Sequence, residues 1–248
     1  KCNLKCRMCD VWMMQNGLYD EIGFWEKADR DFFPYIKEIE LLSGEPFVQS
    51  DTYKLIDRIS SVNPQCLWSI TTNGHWTLNK KIKSALDKIN VRNIIFSIDS
   101  FKPEKFKEIR VNGDLNRVLQ TLSDVKEYEK ERMRNGLSDL GVTVHYLVMR
   151  DNWDELSDVL DFIDHYEAKV TFNNLYIPPE QAISTLPEKE QLKIVDHYLE
   201  NYPREKIRRI MRVILSILND VSLESKSDYL LRIHSLLGDS SERVRGEN

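Results

Sequence analysis

Three of the four cysteines stand at positions 2, 6 and 9. Thiolates spaced four and then three residues apart on one short loop pair poorly with one another as disulfides and are well placed to ligate metal. Each can reach one corner of a cubane iron–sulfur cluster. Such clusters are ordinarily held by four thiolates, so a set of three leaves one iron open to a substrate or cofactor. The same triplet, completed by Cys66, a histidine or a carboxylate, would make a structural zinc site. Cys66 opens an apolar run and reads as a core thiol, so the cysteines by themselves leave cluster and zinc both open.

Ligands on a loop need a scaffold, and the sequence supplies one by alternation. Runs with strand character at 36–42, 66–72, 93–99, 142–149 and 170–176 are separated by helical patterns at 53–62, 78–89, from 115 onward and at 153–166. Asp114 is the expected N-cap of the long helix, whose apolar positions Leu115, Val118, Leu119, Leu122 and Val125 repeat at helical spacing. Strands alternating with helices imply a parallel sheet or barrel. Parallel strands covered on both faces should be apolar throughout, yet Thr71, Asn73, Ser97, Asp99, His145 and Asn173 put polar groups near the strands' C-terminal ends. In an α/β barrel that end is where ligands bind. Beyond residue 178 the alternation gives way to three helical patterns at 188–200, 204–219 and 227–237, and the last eleven residues read as unstructured.

The chain has 248 residues, 41% of them hydrophobic, enough for one barrel-sized core or two smaller ones. Its formal net charge of -5 with both signs interspersed gives no basic face for phosphate backbones, so nucleic acid is not an expected partner. No apolar stretch approaches the roughly 20 residues that span a bilayer, and no leader pattern precedes the first element. The reading is a cytoplasmic protein without a membrane partner, consistent with clustered free thiols in a reducing compartment.

The segment from Cys2 to Cys9 resembles the CxxxCxxC loop of the radical S-adenosylmethionine (SAM) superfamily, and Ser43, Gly44, Glu45 and Pro46 resemble the Gly-Gly-Glu-Pro turn that ends that family's second strand. Serine replaces the first glycine. Thr71 to Gly74, with Thr72 and Asn73, resembles the end of the third strand in the molybdenum-cofactor and peptide-maturase branches. Ser97, Ile98 and Asp99 resemble the fourth strand's end, and 105–113 resembles the following segment, with Arg110 ahead of the long helix. Supportive likenesses continue through 148–155 and Tyr176 to Pro178.

The resemblance implies a partial (β/α)6 TIM-like barrel lacking its first strand, spanning 1–178, followed by a helical C-terminal extension over 179–248. It implies a [4Fe–4S] cluster on Cys2, Cys6 and Cys9, with SAM as the second cofactor. The turn at 43–46 would accept hydrogens from the cofactor's amino group, and Arg110 would meet its carboxylate. Ser97 and Asp99 would lie near its ribose and methionine portions, while Met8, apolar and polarizable, would take the place of an aromatic residue beside the adenine. Thr72, Asn73 and Tyr176 complete the expected cofactor-binding set. The implied activity is reductive cleavage of SAM to a 5′-deoxyadenosyl radical that abstracts hydrogen from a small-molecule or peptide substrate, with an electron donor such as flavodoxin or ferredoxin as partner.

The alternative is a non-catalytic zinc or iron–sulfur module, which has no need for Gly44, Glu45, Ser97 and Asp99 to converge. Because the triplet begins at residue 2, the sequence reading also expects a natural protein extending past both ends. From this follow an exposed sheet edge at the strand over 36–42 and a loosely held cysteine loop. No cysteine lies beyond residue 66, so the extension carries none of the thiols of a second cluster domain.

Overall fold

The computed structural model describes residues 1–14 and 23–238. Five strands form one sheet: β2 (Glu38–Leu41), β3 (Leu67–Thr72), β4 (Asn90–Ser97), β6 (Thr143–Val148) and β7 (Lys169–Asn174), in that order across the sheet. The pairs β2–β3, β3–β4 and β4–β6 are parallel. A separate antiparallel pair joins β1 (Lys5–Cys6) to β5 (Arg110–Val111). The barrel is open, as the sequence implies, and β2 is an edge strand. Its exposed residues Glu38 and Glu40 put charge on that edge, a device that discourages pairing with another chain.

The register gives the two faces of the sheet different characters. Ile70 pairs with Ile94, Thr72 with Phe96 and Phe96 with Val144, and all of these are buried. Thr71 pairs with Ile95 and Ser97 with His145, so by the two-residue repeat Thr71, Ile95, Ser97, Thr143 and His145 share the opposite face. Of these only Thr143 is buried, and the rest are partly open to solvent. Three of the polar residues singled out at the strand ends, Thr71, Ser97 and His145, therefore share one face, while the buried alternates occupy the other.

The helices that cover the sheet are α1 (Phe24–Asp31), α2 (Ser50–Val62), α3 (Lys80–Asp87), α4 (Pro103–Ile109), α5 (Leu115–Arg134) and α6 (Leu156–His165). In α5 four residues of the expected stripe, Leu115, Val118, Leu122 and Val125, are buried at 3% exposure or less, and Leu119 is half-buried. Asp114 caps it, its carboxylate accepting from Asn116 N–H at 3.0 Å. Asp114→Ala is expected to lower stability by about 1 kcal/mol, as loss of an N-cap does, read as a shifted urea midpoint with unchanged slope. Helices α1 and α4 lie in stretches for which the periodicity predicted no helix. The first buries Trp25 and Ala28, and the second opens on Pro103, whose fixed φ suits a first helical position.

The chain divides into two compact units, one of residues 1–146 and 163–171, the other of 147–162 and from 172 on. The division does not follow the boundary at 178 that the sequence suggests. The end of β6, the end of β7 and most of α6 belong with the C-terminal helices α7 (Glu188–Asn201), α8 (Arg204–Arg209), α9 (Met211–Leu218) and α10 (Leu223–Gly238). The reason is visible in the second unit's bonds. Tyr198 Oη donates to Trp153 O at 2.8 Å, Ser157 N–H donates to Tyr202 Oη at 3.2 Å, and Lys206 Nζ reaches Ser157 Oγ and Asp161. The single helix predicted over 204–219 is two, broken at the buried Ile210, whose φ of -101° and ψ of 9° leave the helical region. The tail at 239–248 lies outside the described residues. Among the described residues no helix is long and apolar enough to cross a membrane.

Candidate metal and cofactor site

The cysteine loop is tied into the first unit at several points. Leu4 is buried between the ligands. Lys1 O accepts from Glu45 N–H at 3.0 Å, and Arg7 N–H donates to Ile109 O at 2.9 Å. In the β1–β5 ladder Cys6 faces Arg110. Asn3 Nδ2 donates to His75 O, and Asn3 Oδ1 accepts from Asn73 Nδ2, both at 2.8 Å. The expectation of a loosely held loop is corrected accordingly: the ends of β2 and β3 and the segment before α5 together fix its backbone.

Gly44 shows why the turn after β2 must keep its second glycine. Its φ is +70°, and a Cβ there would lie 2.4 Å from Lys1 O, against the cysteine loop's own backbone. Ser43 does not share that left-handed conformation, so a serine fits where the family has glycine. Ser43 O accepts from Gln49 Nε2 at 2.9 Å, and Pro46 is buried at the start of a short 3-10 turn.

Glu45 is fully buried, and its carboxylate is occupied by protein donors. It accepts from Phe47 N–H at 3.2 Å, from Thr72 Oγ1 at 2.8 Å and from Asn73 N–H at 2.7 Å. Thr72 Oγ1 in turn accepts from Gly74 N–H and from Trp76 Nε1. The carboxylate thus clamps the turn after β2 to the end of β3. Burial pushes its pKa up to about 7, against the hydrogen bonds from Asn73, Thr72 and Phe47 that pull it down. A raised folded-state value means that the Glu45 contribution to stability is fully present below about pH 4.5 and is lost as pH rises through about 7. The melting temperature of Glu45→Gln relative to wild type is therefore expected to rise between about pH 5 and pH 8, by the equivalent of a few kcal/mol at most. Parallel thermal melts of the two proteins across that range check it.

Asp99, Arg110 and the thiols form the second half of the site. Arg110 donates through Nε to Asp99 Oδ2 at 2.8 Å, and its Nη2 lies 2.6 Å from the same oxygen, both side chains being buried. Its Nη1 points to Cys6 Sγ at 3.7 Å. Asn73 Nδ2 makes the matching contact to Cys2 Sγ, also at 3.7 Å. Burial works against the Arg110 charge, but Asp99 and the thiols outweigh it and hold the guanidinium ionised. Burial likewise pushes the Cys6 thiol up to about 11, opposed by Arg110. Cys2, Cys6, Cys9 and Cys66 are all free of disulfides, and Cys66 is buried directly before β3.

Of the residues expected to meet the cofactors, Cys2, Cys6, Glu45, Thr72, Asn73, Asp99 and Arg110 are joined by these contacts, while Cys9 is exposed on the same loop, its N–H donating to Cys6 O at 3.2 Å. Met8 is half-buried between Cys6 and Cys9, and Ser97 ends β4 on the polar face of the sheet. Tyr176 belongs to the second unit, where its hydroxyl is 2.8 Å from Ser216 Oγ. Asn3 and Trp76 were not foreseen. Asn3 sits between two ligands with no property that marks it, and Trp76 acts through its indole N–H on Thr72, a contact set only by the tertiary fold.

Among the described residues no group of three or more His, Cys, Asp and Glu side chains gathers where one metal ion would sit. Three free thiols on one loop, with a buried guanidinium and an amide N–H aimed at two of the sulfurs, fit an anionic iron–thiolate cluster.

An open parallel α/β sheet carrying a three-cysteine loop at its strand ends defines a radical SAM core. The family model described as "Radical SAM superfamily" matches residues 1–163, and the chain belongs to that superfamily, whose cofactors are a [4Fe–4S] cluster and SAM. Among curated relatives, a probable GTP 3′,8-cyclase of Methanocaldococcus jannaschii is 30% identical over 224 residues, covering 85% of this chain and 65% of the relative. A GTP 3′,8-cyclase of Alkaliphilus metalliredigens is 29% identical, covering 63% of this chain and 48% of the relative. The chain thus spans about half to two thirds of the length of these relatives. Among solved structures, Streptococcus suis SuiB bound to S-adenosylmethionine matches with a TM-score of 0.54 at 14% identity, covering 79% of this chain and 41% of that one. The anSMEcpe structure with bound AdoMet and a peptide matches at 0.57 and 16%, covering 84% of this chain and 59% of that one. At these identities the two structures speak to the fold.

Proposed function

We propose that this chain is the catalytic core of a radical SAM enzyme of cofactor biosynthesis, acting on a small molecule of the purine-nucleotide class. The observation that carries the radical part is the linkage of the three-cysteine loop to the ends of β2, β3 and β4 through Glu45, Asn73 and the Asp99–Arg110 pair. A bound cluster and SAM supply reductive cleavage to a 5′-deoxyadenosyl radical, chemistry that side chains do not perform unaided. Cys2, Cys6 and Cys9 would hold the cluster. The half-buried Thr71, Ser97 and His145, on one face of the sheet at its C-terminal end, supply hydrogen-bonding groups to orient what binds there.

Two considerations favour a small molecule over a peptide. The relatives that are 29–30% identical to this chain over the aligned residues are named as cyclases of GTP, whereas the peptide-bound neighbour is related at the level of fold. The electron would come from a small low-potential carrier such as flavodoxin or ferredoxin, in a reducing cytoplasm. The test is anaerobic reconstitution with iron and sulfide, then incubation with dithionite and SAM, alone, with GTP or with a peptide. Formation of 5′-deoxyadenosine stimulated by GTP supports both parts of the reading. An iron-loaded protein that releases none under any condition sinks the radical part, and stimulation by peptide alone sinks the substrate class.

A further inference from the structure

Two side chains donate toward the sulfurs of the ligand loop, and both are held by other groups before any cofactor is considered. Arg110 has its Nε and Nη2 on one oxygen of Asp99, which leaves Nη1 directed at Cys6 Sγ. Asn73 is fixed three ways: its N–H donates to Glu45, its Oδ1 accepts from His75 N–H, and its Nδ2 is shared between Asn3 Oδ1 and Cys2 Sγ. Gly113 closes the turn that seats Arg110. Its N–H donates to Arg110 O at 2.7 Å, and a Cβ at that position would lie 2.7 Å from the same oxygen. The guanidinium is thus built into the structure at a defined place beside one ligand.

We infer that Arg110, oriented by Asp99, and Asn73 tune the reduction potential of the cluster by donating hydrogen bonds to the thiolates of Cys6 and Cys2. The inference rests on the cluster reading proposed above. Adding one electron makes the iron–thiolate assembly more negative, so a positive charge and N–H donors at its sulfurs stabilise the reduced form more than the oxidised one and raise the potential. Burial of the Arg110–Asp99 pair strengthens the effect, because water does not compete for the Nη1–H that points at Cys6 Sγ. The resemblance assigns Arg110 to the cofactor's carboxylate instead. The structure shows two of the guanidinium's three nitrogens engaged by Asp99 and the third aimed at sulfur.

The experiment is a potentiometric titration, followed by electron paramagnetic resonance, of the reconstituted wild type, Arg110→Lys and Asn73→Ala, in the absence of SAM and with iron content measured alongside. Both variants are expected to load iron as wild type does and to show a lower midpoint, with Arg110→Lys, whose ammonium lacks the fork that reaches Asp99 and Cys6 at once, shifted by at least a tenfold change in the one-electron equilibrium, about 59 mV. Wild-type protein that binds no iron would defeat the cluster reading itself, separately from the tuning. Loaded variants with the wild-type midpoint overturn the tuning proposal. So does a shift that appears only once SAM is added, which would return Arg110 to the carboxylate. If Arg110→Lys fails to load, Asn73→Ala decides by the same criterion, and loss of iron in both variants also overturns the proposal, since the two residues would then be supports of the loop.

Discussion

Single replacement of Cys2, Cys6 or Cys9 by alanine is expected to abolish both cluster binding and 5′-deoxyadenosine formation, while Cys66→Ala keeps both. The three loop thiols are free, and no other cysteine lies beside them. Removing one leaves a cubane with a second iron lacking a protein ligand, and no nearby thiol can substitute. Cys66 instead directly precedes β3 with 1% exposure, where alanine costs a small cavity and no ligand. The chain supports this contrast in a second way. Metal coordination takes thiolates, and the Cys6 thiol, pushed up to about 11 by burial, would release its proton to solvent on ligation, with the Arg110 guanidinium beside it favouring the thiolate. Iron and sulfide content per chain, with absorbance near 400 nm, are the measurements. Retention of a full cluster by Cys6→Ala, or its loss in Cys66→Ala, would reassign the ligands.

Much of this site was legible in the sequence because it depends on local features. Cysteine spacing, the turn after β2 and the polar residues closing otherwise apolar strands are all readable from neighbours in the chain. The five strands were placed within three residues at each end because their apolar residues form dense short runs, as in Ile94 to Phe96. What escaped depends on partners far apart in sequence or on backbone geometry that no residue type announces. The break at Ile210 carries neither glycine nor proline, so the helical pattern runs straight through it. Glu45 was assigned by resemblance to the cofactor's ammonium, and nothing local shows that Thr72 and Asn73, 27 and 28 residues on, fill its oxygens. Asp99 and Arg110 were each singled out, but as separate contacts to the cofactor. Their pairing required α4, the helix between them that the periodicity did not reveal, to bring the chain back to the end of β4.

That pairing makes Asp99→Ala the substitution with the largest expected cost to stability. Asp99 and Arg110 have side-chain exposures of 1% and 9%, and Arg110 lies on β5, paired with the strand β1 that carries Cys6. With the carboxylate gone, the guanidinium remains charged at any accessible pH and stays buried beside the Cys6 thiol, without a counter-charge of its own. Breaking a buried ion pair from one side typically costs about 3–5 kcal/mol, a large share of the roughly 5–15 kcal/mol that holds a domain folded. Removing both partners differs in kind, since an apolar pair of similar volume leaves no uncompensated charge and is often neutral or stabilising. Asp99→Leu combined with Arg110→Met is therefore expected to regain most of the stability that Asp99→Ala loses, while the cluster, if it still assembles, lacks its donor at Cys6. Urea unfolding of the metal-free proteins reads the stability. A double variant no more stable than Asp99→Ala would show that the pair's value lies in holding the loop geometry through Arg110, not in neutralising a buried charge.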